Sequence, residues 1–410
     1  LVGSDAASSL PPEPGTALVL GTGLELSQLG FSMADAARLA SITQAAHNWV
    51  EAHPDWAARR PWCEPLPAVL TTLPPNLLRA HNPRTSTALT FGLSDLPHEQ
   101  RQELAVWDPT HDGHLQVQGG LGSGRSTTLR TLTRAARDRG LTVIALSTSE
   151  QLWDCVVGHE RGSSNTFPRK AILAIDDLDA LSASFSIEHR EAFLAALQIR
   201  LRTAPAEQTW FVIGTLDHGS ACAWVSQLVR TSLTLEAPAR GSAPGRCVWH
   251  GHETRVLHTT AVAVHATEPA TLRPQTWLAG QSYLIVTHRV RQVIRQLSEQ
   301  GIPTDAVHDV GLPLVVEPTS PADPRVYVGD AESWQANYNL LGQLRREATI
   351  IFDGCTPSEV RSLRLHRGLL PHADPGHALA VTPDGEIHRI DLTAEGPATA
   401  AGSSAESWAA

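Results

Sequence analysis

Short apolar runs alternate with segments of helical periodicity through the middle and the end of the chain. The six clearest runs span residues 143–146, 171–175, 210–215, 283–287, 326–330 and 349–354. Each run has the length of a strand, and the segment after it places apolar residues at helical spacing. Continuous apolar runs predict strands that are buried on both faces. Their alternation with helices predicts an α/β fold in which a parallel sheet is flanked by helices.

Three further segments predict β-hairpins, and each begins with a Pro-Gly dipeptide. The dipeptides are Pro14-Gly15, Pro244-Gly245 and Pro375-Gly376. Two strand-like stretches follow each of them, joined by a turn that contains glycine. One such match would mean little, but three indicate tandem modules that each end in the same hairpin.

The repeat divides the chain into five expected segments. They are the terminal hairpin of an upstream module at residues 1–33, a connector at 34–85, a complete module at 86–265, a truncated module at 275–392 and a disordered tail at 393–410. In the truncated module we align residues 283–287 with residues 143–146, and Asp330 with Asp176. This alignment predicts that the truncated module lacks a glycine-rich loop together with its strand and helix, and that it binds no nucleotide.

A glycine-rich loop in the complete module is the first candidate for chemistry. Its residues are Gly119, Gly120, Leu121, Gly122, Ser123, Gly124, Arg125, Ser126 and Thr127. They fit the phosphate-binding pattern G-x-x-x-x-G-K-[ST], except that arginine replaces the lysine. Such a loop directs several backbone N–H groups at one point, where the dipole of the following helix also favours an anion. A strand-like run before the loop and a helical pattern after it favour a nucleotide loop over a glycine-rich turn with no phosphate role.

Two carboxylates, Asp176 and Asp177, follow the apolar run at residues 171–175. At the C-terminal end of a buried strand, Asp176 would hold Mg²⁺ together with the hydroxyl of Ser126, and Asp177 would position an attacking water. Arg125 would contact the β- and γ-phosphate oxygens of ATP. The alternative is a helix whose N-terminus favours acidic residues, which explains one Asp about as well. The glycine-rich loop upstream favours the functional interpretation.

Composition limits the partners that can be expected. The chain has 410 residues and a formal net charge of −10, so no global charge draws it to nucleic-acid phosphates. Lys170 is the single lysine of the sequence, and this preference for arginine can itself account for Arg125. The five cysteines are scattered, which is typical of a reducing cytosol. No apolar run has the length of a membrane span, and the start at Leu1 leads us to expect a soluble segment of a longer protein.

Several stretches of the sequence together resemble a known family. They are residues 91–97, Gln100-Arg101-Gln102, His114 with the loop at 119–127, residues 175–179, the Pro-Gly hairpins, Gly329-Asp330 and Trp334-Gln335. The family is that of the FtsK/SpoIIIE ATPases, and the resemblance is greatest to its tandem-module members, which include the EccC-type ATPases of type VII secretion. The resemblance implies RecA-like P-loop NTPase folds, binding of ATP and Mg²⁺, a hexamer or stacked assembly, and movement of DNA or protein through a pore. It also implies a cytoplasmic segment of a membrane-associated protein that works with other secretion or division components.

Two departures from the family pattern concern hydrolysis. Arg125 replaces a lysine, and a guanidinium is a wide planar group whereas an ammonium is compact. Asp177 stands where strong hydrolases of the family often have glutamate. We therefore expect the ATP-binding module of a translocase for DNA segregation or protein secretion, weak in hydrolysis, with Arg125 and Asp177 as candidate catalytic residues. The alternative function is a non-hydrolytic nucleotide- or peptide-binding regulatory platform of a secretion complex.

For four other residues a structural role is the prediction. Thr215 ends a strand at a place where a γ-phosphate sensor could lie, and Arg240 or Arg246 could reach the phosphate of a neighbouring subunit. We expect instead a strand-ending threonine and surface arginines. Trp334 is expected to anchor a core rather than to contact a ligand.

Overall fold

The computed structural model describes residues 16–20, 24–28, 36–53, 63–80, 85–158, 168–237, 243–259, 272–307 and 324–392. The chain divides into two compact units, Leu1–Trp62 and Cys63–Ala410. In the first unit a hairpin of β1 (Thr16–Leu20) and β2 (Leu24–Gln28) precedes helix α1 (Ala36–Ala52).

A nine-stranded sheet dominates the N-terminal part of the second unit. Its strands are β3 (Leu89–Leu96), β4 (Arg101–Trp107), β5 (Leu115–Gln118), β6 (Thr142–Leu146), β7 (Ala171–Ile175), β8 (Thr209–Thr215), β9 (Thr231–Leu235), β10 (Arg246–Trp249) and β11 (His252–Val256). The helices of this part are α2 (Pro75–Ala80), α3 (Pro109–Asp112), α4 (Arg125–Asp138), α5 (Ser149–Val156), α6 (Leu178–Leu181), α7 (Ile187–Thr203) and α8 (Ser220–Leu228). The strand order is β4-β3-β11-β10-β9-β5-β8-β7-β6. Strands β9 to β6 in this order are parallel, and the remaining strands extend the sheet in antiparallel fashion.

The apolar runs explain why the parallel strands lie at the centre. All residues of β7 and of β8 are buried. Helix α4 buries Leu129, Leu132 and Ala136 in the core on one face of the sheet. Helix α7 buries Phe193 and Leu197 in the core on the other face. The predicted α/β fold is confirmed, and the order β9-β5-β8-β7-β6 with a loop after β5 is the RecA-like arrangement.

A seven-stranded sheet forms the C-terminal part of the same unit. Its strands are β12 (Arg273–Pro274), β13 (Ser282–Thr287), β14 (Thr304–Ala306), β15 (Arg325–Gly329), β16 (Thr349–Asp353), β17 (Ala378–Val381) and β18 (Ile387–Asp391). Its helices are α9 (Val290–Glu299), α10 (Ala331–Ala336), α11 (Tyr338–Leu344) and α12 (Pro357–Ser362). The strand order is β12-β18-β17-β16-β13-β15-β14, in which β16, β13, β15 and β14 are parallel.

The strand order corrects our alignment of the truncated module. Residues 283–287 were expected to match β6, which is an edge strand of the first sheet. They form β13 instead, which lies between β15 and β16 as β5 lies between β8 and β9. β16 then leads into the antiparallel pair β17–β18 as β9 leads into β10–β11. The described part of this sheet therefore retains the counterparts of β5 and α4. Asp330 follows β15, the direct neighbour of β13, whereas Asp176 follows β7, which β8 separates from β5. An apolar run marks a buried strand, but only the crossover connections fix its position in the sheet.

Buried ion pairs join the two sheets. Arg389 on β18 is 4% exposed and donates to both carboxylate oxygens of Asp154 on α5, at 2.5 and 2.9 Å. Its Nε also lies 3.3 Å from Glu150, whose carboxylate accepts a hydrogen bond from the backbone N–H of Asp374. Because α5 follows β6, these contacts bind the second sheet to the end of the first sheet at which the parallel strands terminate.

No helix in the described parts of either unit is long and apolar enough to cross a membrane.

Candidate nucleotide-binding site

The glycine-rich loop connects the central strand of the first sheet with helix α4. The backbone N–H of Gly119 donates to the carbonyl of Thr215 on β8, at 3.1 Å, which fixes the start of the loop. A Cβ on Gly119 would collide with the Oγ of Ser123. Gly124 caps the helix with φ of 100°, a left-handed conformation that favours glycine. The two outer glycines of the motif are therefore required by the shape of the loop.

The first turn of α4 leaves backbone donors for a ligand. The backbone N–H groups of Arg125, Ser126 and Thr127 make no hydrogen bond to any other residue that the structure describes. Free N–H groups at a helix N-terminus, together with the helix dipole, form a site for phosphate oxygens. Leu121 at the tip of the loop is 99% exposed, so the loop is open to solvent on its outer side.

Arg125 points into the sheet edge and is held there by acceptors. Its Nη2 donates to Oδ2 of Asp177 at 2.7 Å, and its Nη1 donates to the carbonyl of Gly119 at 3.1 Å. Its Nε lies 3.5 Å from Oδ1 of Asp176. The side chain is only 12% exposed. Its Cδ lies 3.3 Å from the point where Gly214 would carry a Cβ, so that glycine makes room for the arginine.

Asp177 is committed to neighbours on both of its carboxylate oxygens. Oδ1 accepts a hydrogen bond from the backbone N–H of Ala180 and so caps helix α6, and Oδ2 accepts from Arg125. The backbone of Asp177 has φ of 62°, which is uncommon for a residue other than glycine. Such strain is typical of functional sites, where the surrounding structure enforces it.

The structure thus brings Arg125, Asp176 and Asp177 together, and it places Ser126 and Thr127 differently. Ser126 is exposed, and the Oγ1 of Thr127 accepts a hydrogen bond from Nη2 of Arg130. Of the two groups predicted to hold Mg²⁺, the Asp176 carboxylate faces the Arg125 guanidinium instead. Among the described residues no group of three or more His, Cys, Asp or Glu side chains is arranged to hold a metal. A cation held by both Asp176 and Asp177 would have to replace the Arg125 side chain, which lies against both carboxylates.

A second acidic pair shapes the loop from the β8 side. Asp179 accepts hydrogen bonds from the backbone N–H groups of Leu216 and Ala221, at 3.2 and 3.0 Å. Gly219 is needed there, because its Cβ would lie 2.5 Å from the Asp179 carboxylate. The segment that is fixed in this way places the Asp217 carboxylate 3.6 Å from the position of a Cβ on Gly120. Asp217 was not predicted, because its proximity to the loop depends on the turn after β8.

The other candidate residues that the structure describes have structural roles. Thr215 is fully buried, and its hydroxyl accepts a hydrogen bond from the buried amide of Gln116 at 3.0 Å. Arg246 pairs with Glu236 and Glu253 on the surface of the hairpin. Arg240 lies outside the described residues. Trp334 is fully buried and its Nε1 donates to the carbonyl of Ile285 at 3.0 Å.

The corresponding edge of the second sheet contains a different arrangement. Thr287 and Arg289 both donate to the carboxylate of Asp353 at 2.6 Å, and Asp353 is 2% exposed. A cavity of about 520 Å³ opens beside this carboxylate, walled in part by His189 of α7 and by His372. Asp330 caps α10 through the backbone N–H of Ser333, a hydrogen bond that lowers its pKa.

The fold and the loop define a P-loop architecture with RecA-like strand order, and solved proteins of this kind are similar to the chain. The cytoplasmic domain of the type VII secretion ATPase EccC from Thermomonospora curvata aligns over 95% of this chain and 71% of its own, with 12% identity and a TM-score of 0.44. ATPases 2 and 3 of T. curvata EccC, in complex with a signal sequence peptide, align over 75% of this chain and 92% of their own, with 11% identity and a TM-score of 0.38. The pCW3 conjugation coupling protein TcpA, a monomer with ATPγS, aligns over 47% of this chain and 71% of its own, with 11% identity and a TM-score of 0.34. No protein-family model matches the sequence, and no curated protein matches it.

Proposed function

We propose that the loop at residues 119–127 binds the phosphates of ATP. The observation that carries the proposal is the free first turn of α4, which follows a left-handed glycine at the centre of a RecA-like sheet. The backbone N–H groups of Arg125 to Thr127 would donate to phosphate oxygens, and the loop from Gly119 to Gly124 would enclose them.

Hydrolysis by this site is expected to be slow. A hydrolase needs a carboxylate or amide that is free to orient water. Asp177 has both oxygens engaged, one by the helix cap and one by Arg125. The residues proposed as catalytic therefore hold each other in an inactive pair, which favours a binding role over a turnover role.

Isothermal titration with ATP tests the proposal. Gly124→Ala should weaken ATP binding at least tenfold, because its Cβ would meet the backbone N of Gly245 at 3.0 Å and would strain the helix start. Gly140→Ala is the matched control, since Gly140 also has positive φ at the other end of α4 and a Cβ there meets nothing within 4 Å. ATP binding that is equal in the two variants, or absent from the unmodified protein, would refute the proposal.

We further propose that the chain serves an FtsK/SpoIIIE-type translocase that moves secreted proteins or DNA, as part of a homo-oligomer such as a hexamer in a membrane-associated complex. The net charge of −10 favours a protein cargo, because phosphate neutralisation supplies most non-specific DNA affinity. Submicromolar binding of duplex DNA at physiological salt would reverse that preference. Single-turnover hydrolysis, measured together with ATP affinity, distinguishes a slow ATPase from a non-hydrolytic platform that binds nucleotide or peptide.

A further inference from the structure

Buried polar atoms without a hydrogen-bond partner are concentrated at the loop, where two of them, Arg125 Nε and Asp176 Oδ1, lie 3.5 Å apart as an ion pair. The described residues contain five such side-chain atoms: Ser123 Oγ, Arg125 Nε, Asp176 Oδ1, Glu207 Oε2 and Arg255 Nε. The first three belong to the loop and to the acidic edge that faces it. Because proteins pair nearly all of their buried polar groups, such a cluster marks the place of a polar ligand or of ordered water. None of the five lines the cavity beside Asp353, so the loop is where a ligand is expected.

The guanidinium of Arg125 lies among oxygen atoms at the acidic edge of the first sheet. It contacts the carbonyl of Gly119 and the carboxylate of Asp177 and lies near the carboxylate of Asp176. All three groups supply oxygens, which are the ligands that Mg²⁺ prefers. A positive charge that is built into the chain therefore already satisfies the acidic edge.

A metal ion that used Oδ1 of Asp176 and Oδ2 of Asp177 together would have to displace this side chain. Mg²⁺ demands near-octahedral oxygen ligands at about 2.0–2.1 Å, and here these two oxygens face the nitrogens of Arg125. Displacement would break a charge-assisted hydrogen bond of 2.7 Å at a side chain that is 12% exposed. It would also leave the positive guanidinium, whose side chain packs against Gly214, beside a doubly charged cation.

The arginine can still take part in anion binding from its present position. A guanidinium has five N–H donors, and the Nη1 and Nη2 groups each use one of theirs, on Gly119 and Asp177. The donors that remain would be available to a phosphate oxygen while the pair with Asp177 stays intact. One cation would then be shared between carboxylate and phosphate, which is the role that Mg²⁺ has in other P-loop sites.

We infer that the loop site binds nucleotide without a requirement for Mg²⁺, with the Arg125 guanidinium as its fixed cation. The inference rests on the proposed function, because it concerns the manner of ATP binding at the same loop. It replaces the sequence-based assignment of Mg²⁺ to Ser126 and Asp176. It also explains how the glycine-rich loop can be retained although arginine replaces the lysine.

The test is ATP titration of the unmodified protein in EDTA and in excess MgCl₂. We expect dissociation constants that agree within threefold. Arg125→Ala removes the fixed cation, so in that variant Mg²⁺ should improve ATP binding at least tenfold. Arg125→Lys serves if the alanine variant does not fold, since a compact ammonium cannot bridge the same three oxygens. Arg134→Ala is the control, because Arg134 lies on the exposed side of α4 and pairs with Asp138.

The outcomes separate the two proposals. Tenfold or greater dependence on Mg²⁺ in the unmodified protein would overturn the inference and leave the proposed function standing. Absence of ATP binding in both buffers would overturn both. Equilibrium dialysis of nucleotide-free protein against Mn²⁺ gives a readout that does not depend on ATP. Stoichiometric Mn²⁺ binding that Asp176→Asn abolishes would contradict the inference, whereas no stoichiometric binding below millimolar concentration would support it.

Discussion

The two sheets present the same kind of ion pair at the same edge, in different surroundings. In the first sheet Arg125 begins the helix after the central strand and pairs with Asp177, whose side chain is 32% exposed. In the second sheet Arg289 immediately precedes the helix after the central strand and pairs with Asp353, which is 2% exposed. The first pair lies beside a nine-residue loop with free N–H groups, whereas the second follows β13 directly and is tied to it through Thr287. The Arg125–Asp177 pair therefore lies beside the proposed phosphate loop, whereas the Arg289–Asp353 pair links the start of α9 to β16.

Replacing aspartate by asparagine should destabilise the protein more at Asp353 than at Asp177. Asp353→Asn leaves Arg289 and Thr287 facing a neutral amide in a buried position, and we expect a loss of about 2 kcal/mol in the free energy of unfolding. Asp177→Asn keeps the helix cap and a residue type that tolerates positive φ, so its loss should stay below about 1 kcal/mol. Urea denaturation of both variants measures the difference. Equal losses would show that the two pairs have the same structural role.

Replacing the arginine of the first pair should increase ATP hydrolysis, whereas the corresponding change in the second sheet should not. Arg125→Lys frees Asp177 to orient water, so ATP hydrolysis in excess Mg²⁺ should rise roughly tenfold, about 1.4 kcal/mol of barrier. Arg289→Lys, the corresponding change at the second edge, should leave hydrolysis unchanged because no glycine-rich loop precedes it. Fast multiple turnover by the unmodified protein would contradict the inactive pair from which this prediction starts.

The acidic surroundings of the first pair should limit its affinity for phosphate. Asp217 lies against Gly120 and repels the anion that the loop would hold. Asp217→Asn should therefore tighten ATP binding by roughly fivefold, about 1 kcal/mol for one charge near a protein surface. Asp138→Asn, at the far end of the helix that begins at the loop, should have no effect. An equal gain in both variants would mean that net charge, rather than the position of Asp217, controls the affinity.

Whether the sequence predicts a feature of these two sheets depends on how far apart in the sequence the interacting residues lie. The loop, the strand before it and the acids of β7 are local patterns, and the structure places them as expected at one edge. The pairing of Arg125 with Asp177 was not predicted, because it depends on which neighbours flank β5 and on the room that Gly214 leaves. The position of β13 was misassigned for a similar reason, since several crossover paths can join the same apolar runs. Strands β3, β4 and β9 were not predicted as strands. The sequences of β4 and β9 mix polar and apolar residues, and only pairing with neighbouring strands makes them extended.

The stability of the contact between the first and second sheets should depend weakly on pH, through protonation of His189. This residue is 9% exposed on α7, its Nε2 lies 3.0 Å from the carbonyl of Leu370, and it forms part of the wall of the cavity beside Asp353. Burial lowers the pKa of His189, and the neighbouring His372 lowers it further. His189 therefore takes up a proton more readily in the unfolded chain than in the folded protein. The stability that neutral His189 provides is complete above a pH of about 6.5, and it is lost as the pH falls below that value.

We expect the free energy of unfolding to fall between pH 7.5 and pH 5.5, with a contribution from His189 below about 1 kcal/mol. His189→Gln retains a donor for Leu370 without a proton that titrates, so the pH dependence of unfolding should become shallower in this variant. His47→Gln is the control, because His47 is 67% exposed on α1. Urea denaturation at the two pH values measures each slope. An unchanged slope in His189→Gln would place the pH sensitivity on other groups and would show that this contact between the two sheets is insensitive to protonation of His189.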